Sequence, residues 1–109
     1  MYKEACFSIS EYDENGEVVD DVHESLESYL IENFKGFMAT ANTIIYMDDI
    51  TDRLVHDEGI VYTVFLEDTK KDLDKLKSLA ISFAQKVGQT TVYFKNPKGE
   101  VEFLEWDEE

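Results

Sequence analysis

The chain has 109 residues, 43% of them apolar and 13% aromatic, and it carries 25 Asp and Glu against 10 Lys and Arg, a net charge of −15. This length suits one domain with a single core, and this composition excludes global disorder. The negative charge excludes nucleic acid and anionic membranes as direct partners, because both require a basic face.

The N-terminal part of the chain predicts a strand followed by a helix. Residues 3–12 alternate in polarity, which is typical of a strand. After a turn at residues 15–16, we favour a loop over a short hairpin return through residues 17–19. A helix is predicted over about residues 20–34, with Asp20 or Asp21 as N-cap and Gly36 at its end. Its apolar stripe consists of Val22, Leu26, Tyr29, Leu30 and Phe34.

The middle of the chain predicts two strands separated by an acidic loop. Residues 41–47, ANTIIYM, are mostly apolar and carry no charge, which is typical of a strand buried on both faces. Residues 48–58 carry five acids and one Arg and are predicted to form a loop, with one helical turn possible at residues 51–55. The next strand, residues 60–67, is rich in β-branched and aromatic residues.

The C-terminal part carries the clearest local signals. Thr69 with Asp72 matches a capping box, a continuous apolar stripe follows, and Gly88 stands where a helix-terminating glycine is expected. Strands at residues 90–95 and 100–106 flank a turn and predict a hairpin, and a frayed tail is expected at residues 107–109.

The resulting order is β-α-β-β-α-β with an added C-terminal strand. Right-handed crossovers in the two β-α-β units predict an α+β, ferredoxin-like sandwich, with an antiparallel sheet and two helices on one face. We expect a single domain over residues 1–109, because no linker or internal repeat is present.

Tyr46-Met47-Asp48-Asp49 resembles the YxDD motif of reverse transcriptases, whose two aspartates hold catalytic metal. Only these four residues match, and the family's third metal carboxylate would have to come from the first strand, which offers only Glu4 at its edge. The charge of −15 also opposes template binding. We therefore interpret Asp48 and Asp49 as residues of a solvated turn.

Other candidate chemical groups are few. The acids between Asp48 and Glu58 do not match the spacing of an EF-hand loop, and two histidines with one cysteine are too few for a zinc site. His23 and His56 are interpreted as surface residues, and Cys6 as a small, half-buried strand residue. The sequence therefore predicts no catalytic residues, no metal, no cofactor and no enzymatic activity.

The N-terminus has no signal-peptide pattern, and no apolar run approaches the roughly 20 residues that cross a bilayer. A single cysteine excludes an internal disulfide. These observations predict a cytoplasmic protein.

The acids are concentrated in three segments. Residues 1–34 sum to −9, residues 48–58 to −4 and residues 100–109 to −6, whereas residues 67–98 sum to +3. Asp20, Glu24 and Glu27 fall on one stripe of the first helix, at steps of about 5.4 Å, comparable to phosphate spacing. The predicted partner-binding residues are Asp13, Glu14, Asp20, Asp21, Glu24, Glu27, Asp48, Asp49, Asp52 and, as an aromatic anchor, Trp106.

In size and charge the chain resembles the phage-encoded acidic DNA mimics that block restriction or CRISPR nucleases. This resemblance implies an inhibitor that occupies the nucleic-acid-binding surface of a basic partner protein, such as a nuclease effector. Two alternatives stay open: an immunity protein that neutralises a nuclease toxin, and a small ferredoxin-like metabolite-binding domain or enzyme. A solvated acidic surface without a partner is the simplest reading of the charge alone.

Overall fold

The structure of the protein is a computed structural model that describes residues 1–48 and 50–106. Within them, neither helix has the length and apolar character needed to cross a bilayer. The prediction of a frayed tail at residues 107–109 falls outside the described residues. The elements are β1 Tyr2–Ser10, α1 Asp20–Asn33, β2 Gly36–Asp48, β3 Arg53–Glu67, α2 Lys70–Lys86, β4 Thr91–Lys95 and β5 Val101–Glu105.

The strands form one antiparallel sheet in the order β2-β3-β1-β4-β5. Each β-α-β unit leaves a gap of one strand, which a strand of the other unit fills: β3 lies between β1 and β2, and β1 lies between β3 and β4. This is the ferredoxin-like arrangement, with β5 added beside β4. The predicted α+β fold class is therefore confirmed.

Both helices pack on one face of the sheet. Phe7 and Ile9 alternate inward from β1 and meet Leu26 of α1, Leu76 of α2 and Phe94 of β4, all of them inaccessible to solvent. Burying a side chain of this size contributes about 1.5–3 kcal/mol, so this layer is the main source of stability.

The predicted start and end of α2 are confirmed. The Thr69 hydroxyl accepts a hydrogen bond from the Asp72 N–H at 3.2 Å, and Gly88 adopts a positive φ of 81° directly after the helix. The return bond differs from a capping box: the Asp72 carboxylate accepts from the N–H of Glu67 at 3.3 Å rather than from Thr69.

The ends of α1 differ from the prediction. Its N-cap is Val19, which offers no side-chain bond, while Asp20 and Asp21 occupy the first turn, where the helix dipole favours them. At the other end, Phe34 is extended and its N–H bonds to the carbonyl of Leu30, so the helix ends before Gly36, which instead begins β2.

The segment between β1 and α1 differs from the unpaired loop that the sequence predicts. The structure shows a small hairpin, in which a bridge joins Tyr12 to Val18 and the Asp13 N–H donates to the carbonyl of Glu17 at 2.9 Å. The Asp13 carboxylate stabilises the turn by accepting from the N–H groups of Asn15 and Glu17, both at 2.9 Å.

The prediction that residues 41–47 form a strand buried on both faces is wrong. β2 is an edge strand, and Ile45 and Met47 are 56% and 53% exposed. An apolar run shows that a segment can pair as a strand, but which neighbours cover it depends on strand order.

The loop predicted at residues 48–58, with its possible helical turn, is also wrong for most of its length. Arg53–Glu58 pair in register with Thr43–Asp48, so β3 begins at Arg53. By composition, a strand with exposed carboxylates cannot be distinguished from an acidic loop. The two differ in cross-strand pairing, which supplies the backbone hydrogen bonds of the strand.

Candidate functional site

A cleft of about 430 Å³ lies between α1 and the helix-facing side of β2 and β3. The methyl side chains of Ala39 and Ala41 form part of its floor, beside Ile60 and Tyr62, with which they pair across the strands. Larger side chains at these two β2 positions would fill the space under the helix. The cleft therefore follows from two small residues opposite an acidic helix face.

Four carboxylates line this cleft. Asp20, Glu24 and Glu27 come from one stripe of α1, and Glu11 comes from the segment after β1. No Lys or Arg lines the cleft, and none of these acids forms an ion pair with another described residue. The cleft therefore favours a cationic ligand over an anionic one.

A chain of hydrogen bonds runs beneath these acids. His23 is only 8% exposed; its Nε2 lies 2.8 Å from the Ser10 carbonyl oxygen, and its Nδ1 lies 2.5 Å from the Tyr62 hydroxyl. A carbonyl only accepts, so Nε2 carries a proton. The Tyr62 hydroxyl also lies 3.3 Å from Oε2 of Glu27, and this contact links the buried pair to the cleft.

The same atomic positions accommodate two proton arrangements. With neutral His23, the Tyr62 hydroxyl donates to Nδ1. With protonated His23, Nδ1 donates to the hydroxyl oxygen, and Tyr62 donates to Glu27. Tyr62 itself stays protonated, because burial first, then the charge of Glu27 and its hydrogen bond, raise the pKa of the phenol. Both arrangements keep the hydrogen bond between His23 and Tyr62.

The structure brings together three of the sequence-predicted partner-binding residues: Asp20, Glu24 and Glu27 lie in the cleft. Asp21 is exposed in the first turn of α1, outside the cleft lining. Glu14 is exposed beside Gly88, and Asp13 is half-buried with its carboxylate engaged in the turn. One helix therefore presents most of the acids that the sequence singled out.

The remaining predicted residues lie elsewhere. Asp52 is exposed in the β2–β3 turn, with a positive φ of 55°. Asp48 ends β2, about 23 Å along the strand from Ala41, and its side chain lies outside the described residues, as does Asp49. Trp106 is half-buried and packs against the core. Asp52 and Trp106 do not line the cleft.

Sequence reasoning missed the buried members of the site. The prediction of His23 as a surface residue is wrong, because it is buried three residues before Leu26 and seven before Leu30, on the same helical face. That spacing was the available signal. His56 is a surface residue, as predicted, but it lies in β3 rather than in a loop. Within the described residues, no three His, Cys, Asp or Glu side chains are grouped to hold a metal ion.

No protein-family model and no curated protein sequence matches the chain. Solved structures do resemble it. A phage SAM lyase in complex with S-methyl-5'-thioadenosine matches with a TM-score of 0.69 at 14% identity, covering 98% of this chain and 92% of that one. A phage SAM lyase in the apo state matches with a TM-score of 0.67 at 16% identity and the same coverage. The divalent cation tolerance protein Cut A1 from Thermus thermophilus matches with a TM-score of 0.57 at 14% identity, covering 99% of this chain and 84% of that one.

At these identities the likeness shows the fold alone. It nevertheless contradicts the prediction that the chain is not an enzyme, because the fold, over nearly its whole length, is one that a lyase uses. That prediction relied on the absence of a local sequence motif. Active sites are assembled from side chains on separate elements, so a missing motif does not exclude one.

Proposed function

We propose that the cleft binds S-adenosylmethionine and that the chain is a lyase that releases S-methyl-5'-thioadenosine from it. The observation that carries this proposal is a cleft lined by four carboxylates next to a buried His–Tyr pair, in a fold shared with a phage SAM lyase. The function belongs to the class of ferredoxin-like metabolite-binding domains and enzymes, which the sequence left open.

The charge of the ligand fits the cleft. S-adenosylmethionine carries a sulfonium and an ammonium, both positive, so each finds carboxylates within the same cavity. A charge pair about 4 Å apart near a protein surface is worth about 4 kcal/mol before desolvation. The volume of about 430 Å³ lies within the usual range of small-molecule sites.

The reaction needs no cofactor and no water. The bond between the sulfonium sulfur and Cγ of the methionine part breaks, and its electron pair goes to sulfur, which becomes the neutral thioether of the product. A carboxylate oxygen of the same substrate forms the new bond to Cγ, so the four-carbon fragment leaves as a lactone. Two opposite charges disappear in this step, and an apolar floor such as Ala39, Ala41 and Ile60 favours such a reaction.

The role of the buried pair is to position a carboxylate. Tyr62 is held by His23, which is fixed in turn by the Ser10 carbonyl, and the phenol hydroxyl reaches Glu27. Glu27 is half-buried, so its orientation depends on this contact more than that of the exposed Glu24. Glu27 is therefore the carboxylate assigned to the substrate's positive charge.

The test is incubation of the purified chain with S-adenosylmethionine, followed by liquid chromatography and mass spectrometry of the products. We expect S-methyl-5'-thioadenosine and the four-carbon lactone to form faster than in a protein-free control. Glu27→Gln should lower kcat/KM by about tenfold or more, equivalent to about 1.4 kcal/mol of transition-state stabilisation. Glu32→Gln is the matched control, because Glu32 is exposed on the same helix but does not line the cleft.

The outcomes separate the parts of the proposal. No product and no binding at about 1 mM substrate, tens of times a typical KM, would refute it. If homoserine forms instead of the lactone, the proposed site stands, but attack by water replaces the intramolecular step. Equal effects of the two substitutions would show that Glu27 has no special role.

A second candidate is the acidic inhibitor, a DNA-mimic protein of the phage anti-CRISPR or anti-restriction type. Its support is the exposure of Asp20, Asp21 and Glu24 on one helix of a chain with a charge of −15. A basic nucleic-acid-binding protein such as a nuclease effector would be the partner, and an immunity protein against a nuclease toxin would use the same electrostatics. Both candidate functions place the protein in the cytoplasm, where their ligands are found.

Salt and charge neutralisation test this second candidate. Capture of a nuclease from host lysate at low salt, and its release at high salt or by competing DNA, would support it. A variant with Asp20→Asn, Glu24→Gln and Glu27→Gln should then lose the partner. If this variant binds as well as the parent chain, α1 is not the contact surface.

A further inference from the structure

The face of the sheet opposite the helices carries an apolar patch among polar side chains, and no described element of the chain covers it. We call it the open face. The register places side chains of all five strands on it, alternating with the core-facing ones. Met38 on β2 and Phe103 on β5 are 50% and 54% exposed. Its central apolar side chains are Ile44, Val61, Phe65 and Tyr93.

The described charged residues of the open face sum to only −2, in a chain of −15. Asp57 is the acid that lies among its apolar side chains. The other charged residues of this face that the structure describes lie at or near strand ends: Glu4, Arg53, Glu67, Lys95 and Glu105. Antiparallel sheets in two-layer folds usually expose a polar outer face, so the apolar patch on this face indicates a contact surface.

The exposed area of the chain supports the same conclusion. A compact monomer of 12.6 kDa is expected to expose roughly 6,200 Å², whereas this chain exposes 7112 Å². The excess of about 900 Å² is close to the roughly 800 Å² that each partner buries in a stable interface. The five strands lie about 4.8 Å apart and average about 30 Å in length, which gives a face of roughly 700 Å², large enough for such an interface.

The end of the β2–β3 hairpin adds to this excess. Ile45, Met47 and Leu54 on its helix-facing side are each more than half exposed, and Ile50 in the turn is 93% exposed. The same segment contributes Ile44 and Val55 to the open face. A hairpin with apolar side chains on both sides is typical of a segment that another chain covers.

We infer that the open face is a self-association interface, occupied by the open face of a second copy of this chain. Charge favours a copy over a basic partner, because a basic partner is attracted to the acidic face of α1 rather than to this surface, where acidic and basic side chains largely offset each other. Contact through the open face also keeps the acidic helices of the two copies apart. The inference does not depend on the proposed function, since the cleft lies on the other side of the sheet.

Sedimentation velocity on the full chain, across a concentration series and at two salt concentrations, tests the inference. We expect a mass that is a multiple of 12.6 kDa, with association strengthened by salt, because salt screens the repulsion between acidic copies. Met38→Lys and Phe103→Lys, on opposite edges of the sheet, should each weaken association at least tenfold. Ile31→Lys is the control, because Ile31 is 62% exposed on α1, on the helix side of the sheet.

The lysine substitutions make the result unambiguous. Each one lowers the net negative charge, so general repulsion would predict stronger association, and only burial of the new charge predicts a weaker one. Far-UV circular dichroism and Tm verify that each variant is folded. A wild-type chain that stays at 12.6 kDa at about 1 mM and high salt overturns the inference, as do folded variants at both positions that associate like the parent.

Discussion

Replacing Tyr62 with Phe removes one buried oxygen atom from the centre of the candidate site. The ring of Tyr62 is inaccessible to solvent and packs against Phe7, so the apolar contacts stay in place. What changes is that Nδ1 of His23 loses the Tyr62 hydroxyl, its hydrogen-bond partner among the residues that the structure describes. The cavity left by a single hydroxyl is too small to hold a replacement water.

The magnitude follows from this unpaired group. Leaving a buried donor or acceptor without a partner costs about 1–3 kcal/mol. The longer contact to Glu27 adds little, because this carboxylate is half-buried and remains hydrated by the water of the cleft when the hydroxyl is gone. We therefore expect Tyr62→Phe to lower the free energy of unfolding by about 1–2 kcal/mol. For a chain of this length that corresponds to a decrease in Tm of roughly 4–9 °C.

Urea and thermal denaturation followed by circular dichroism measure this change. Tyr29→Phe removes the same atom from a ring that is 46% exposed, so it is the matched control, expected to remain within about 0.5 kcal/mol of the parent. His23→Ala and the double variant complete a thermodynamic cycle, in which the two substitutions should cost less together than the sum of each alone. Additive effects, or a Tyr62→Phe variant as stable as the parent, would show that the His23–Tyr62 bond does not stabilise the fold.

Three further substitutions test separate parts of the structure. Thr69→Ala removes the N-cap of α2 and should lower stability by about 1 kcal/mol, whereas Thr69→Ser, which keeps the hydroxyl, should restore most of it in the same urea titration. Gly59→Ala places a methyl group 2.9 Å from the Ile9 carbonyl oxygen, so we expect a loss of about 1–3 kcal/mol; an unchanged urea midpoint would contradict this close approach of β1 and β3. Burial raises the pKa of Asp57 above its ordinary value of 3.8, so the folded chain retains this proton to higher pH than the unfolded chain. The free energy of unfolding therefore falls as the pH rises from the unfolded-state pKa through the folded-state pKa. Asp57→Asn should therefore be more stable than the parent at pH 7, by about 0.5 kcal/mol or less because water screens this half-buried group. The difference should vanish below pH 3.8, and a variant that is less stable than the parent at pH 7 would refute this expectation.

Signals confined to short stretches predicted much of the fold. The cap at Thr69, the glycine at position 88 and the apolar stripe between them define α2 because capping and helical periodicity depend on residues within one or two turns. The C-terminal hairpin of β4 and β5 depends likewise on one turn and two alternating strands. From these elements and their order, the ferredoxin-like arrangement follows through general rules of chain connection.

The tertiary structure decided the candidate site. Which side of α1 is buried depends on how the helix is rotated against the sheet, and this rotation buries His23 while leaving Tyr29 exposed. Tyr62 reaches His23 and Glu27 across separations of 39 and 35 residues. Ala39 lies opposite Tyr62 only because β2 pairs with β3 in that register. Composition along the chain gives the sign of the charge, but strand order, register and helix rotation determine which acids surround a cavity and which face water.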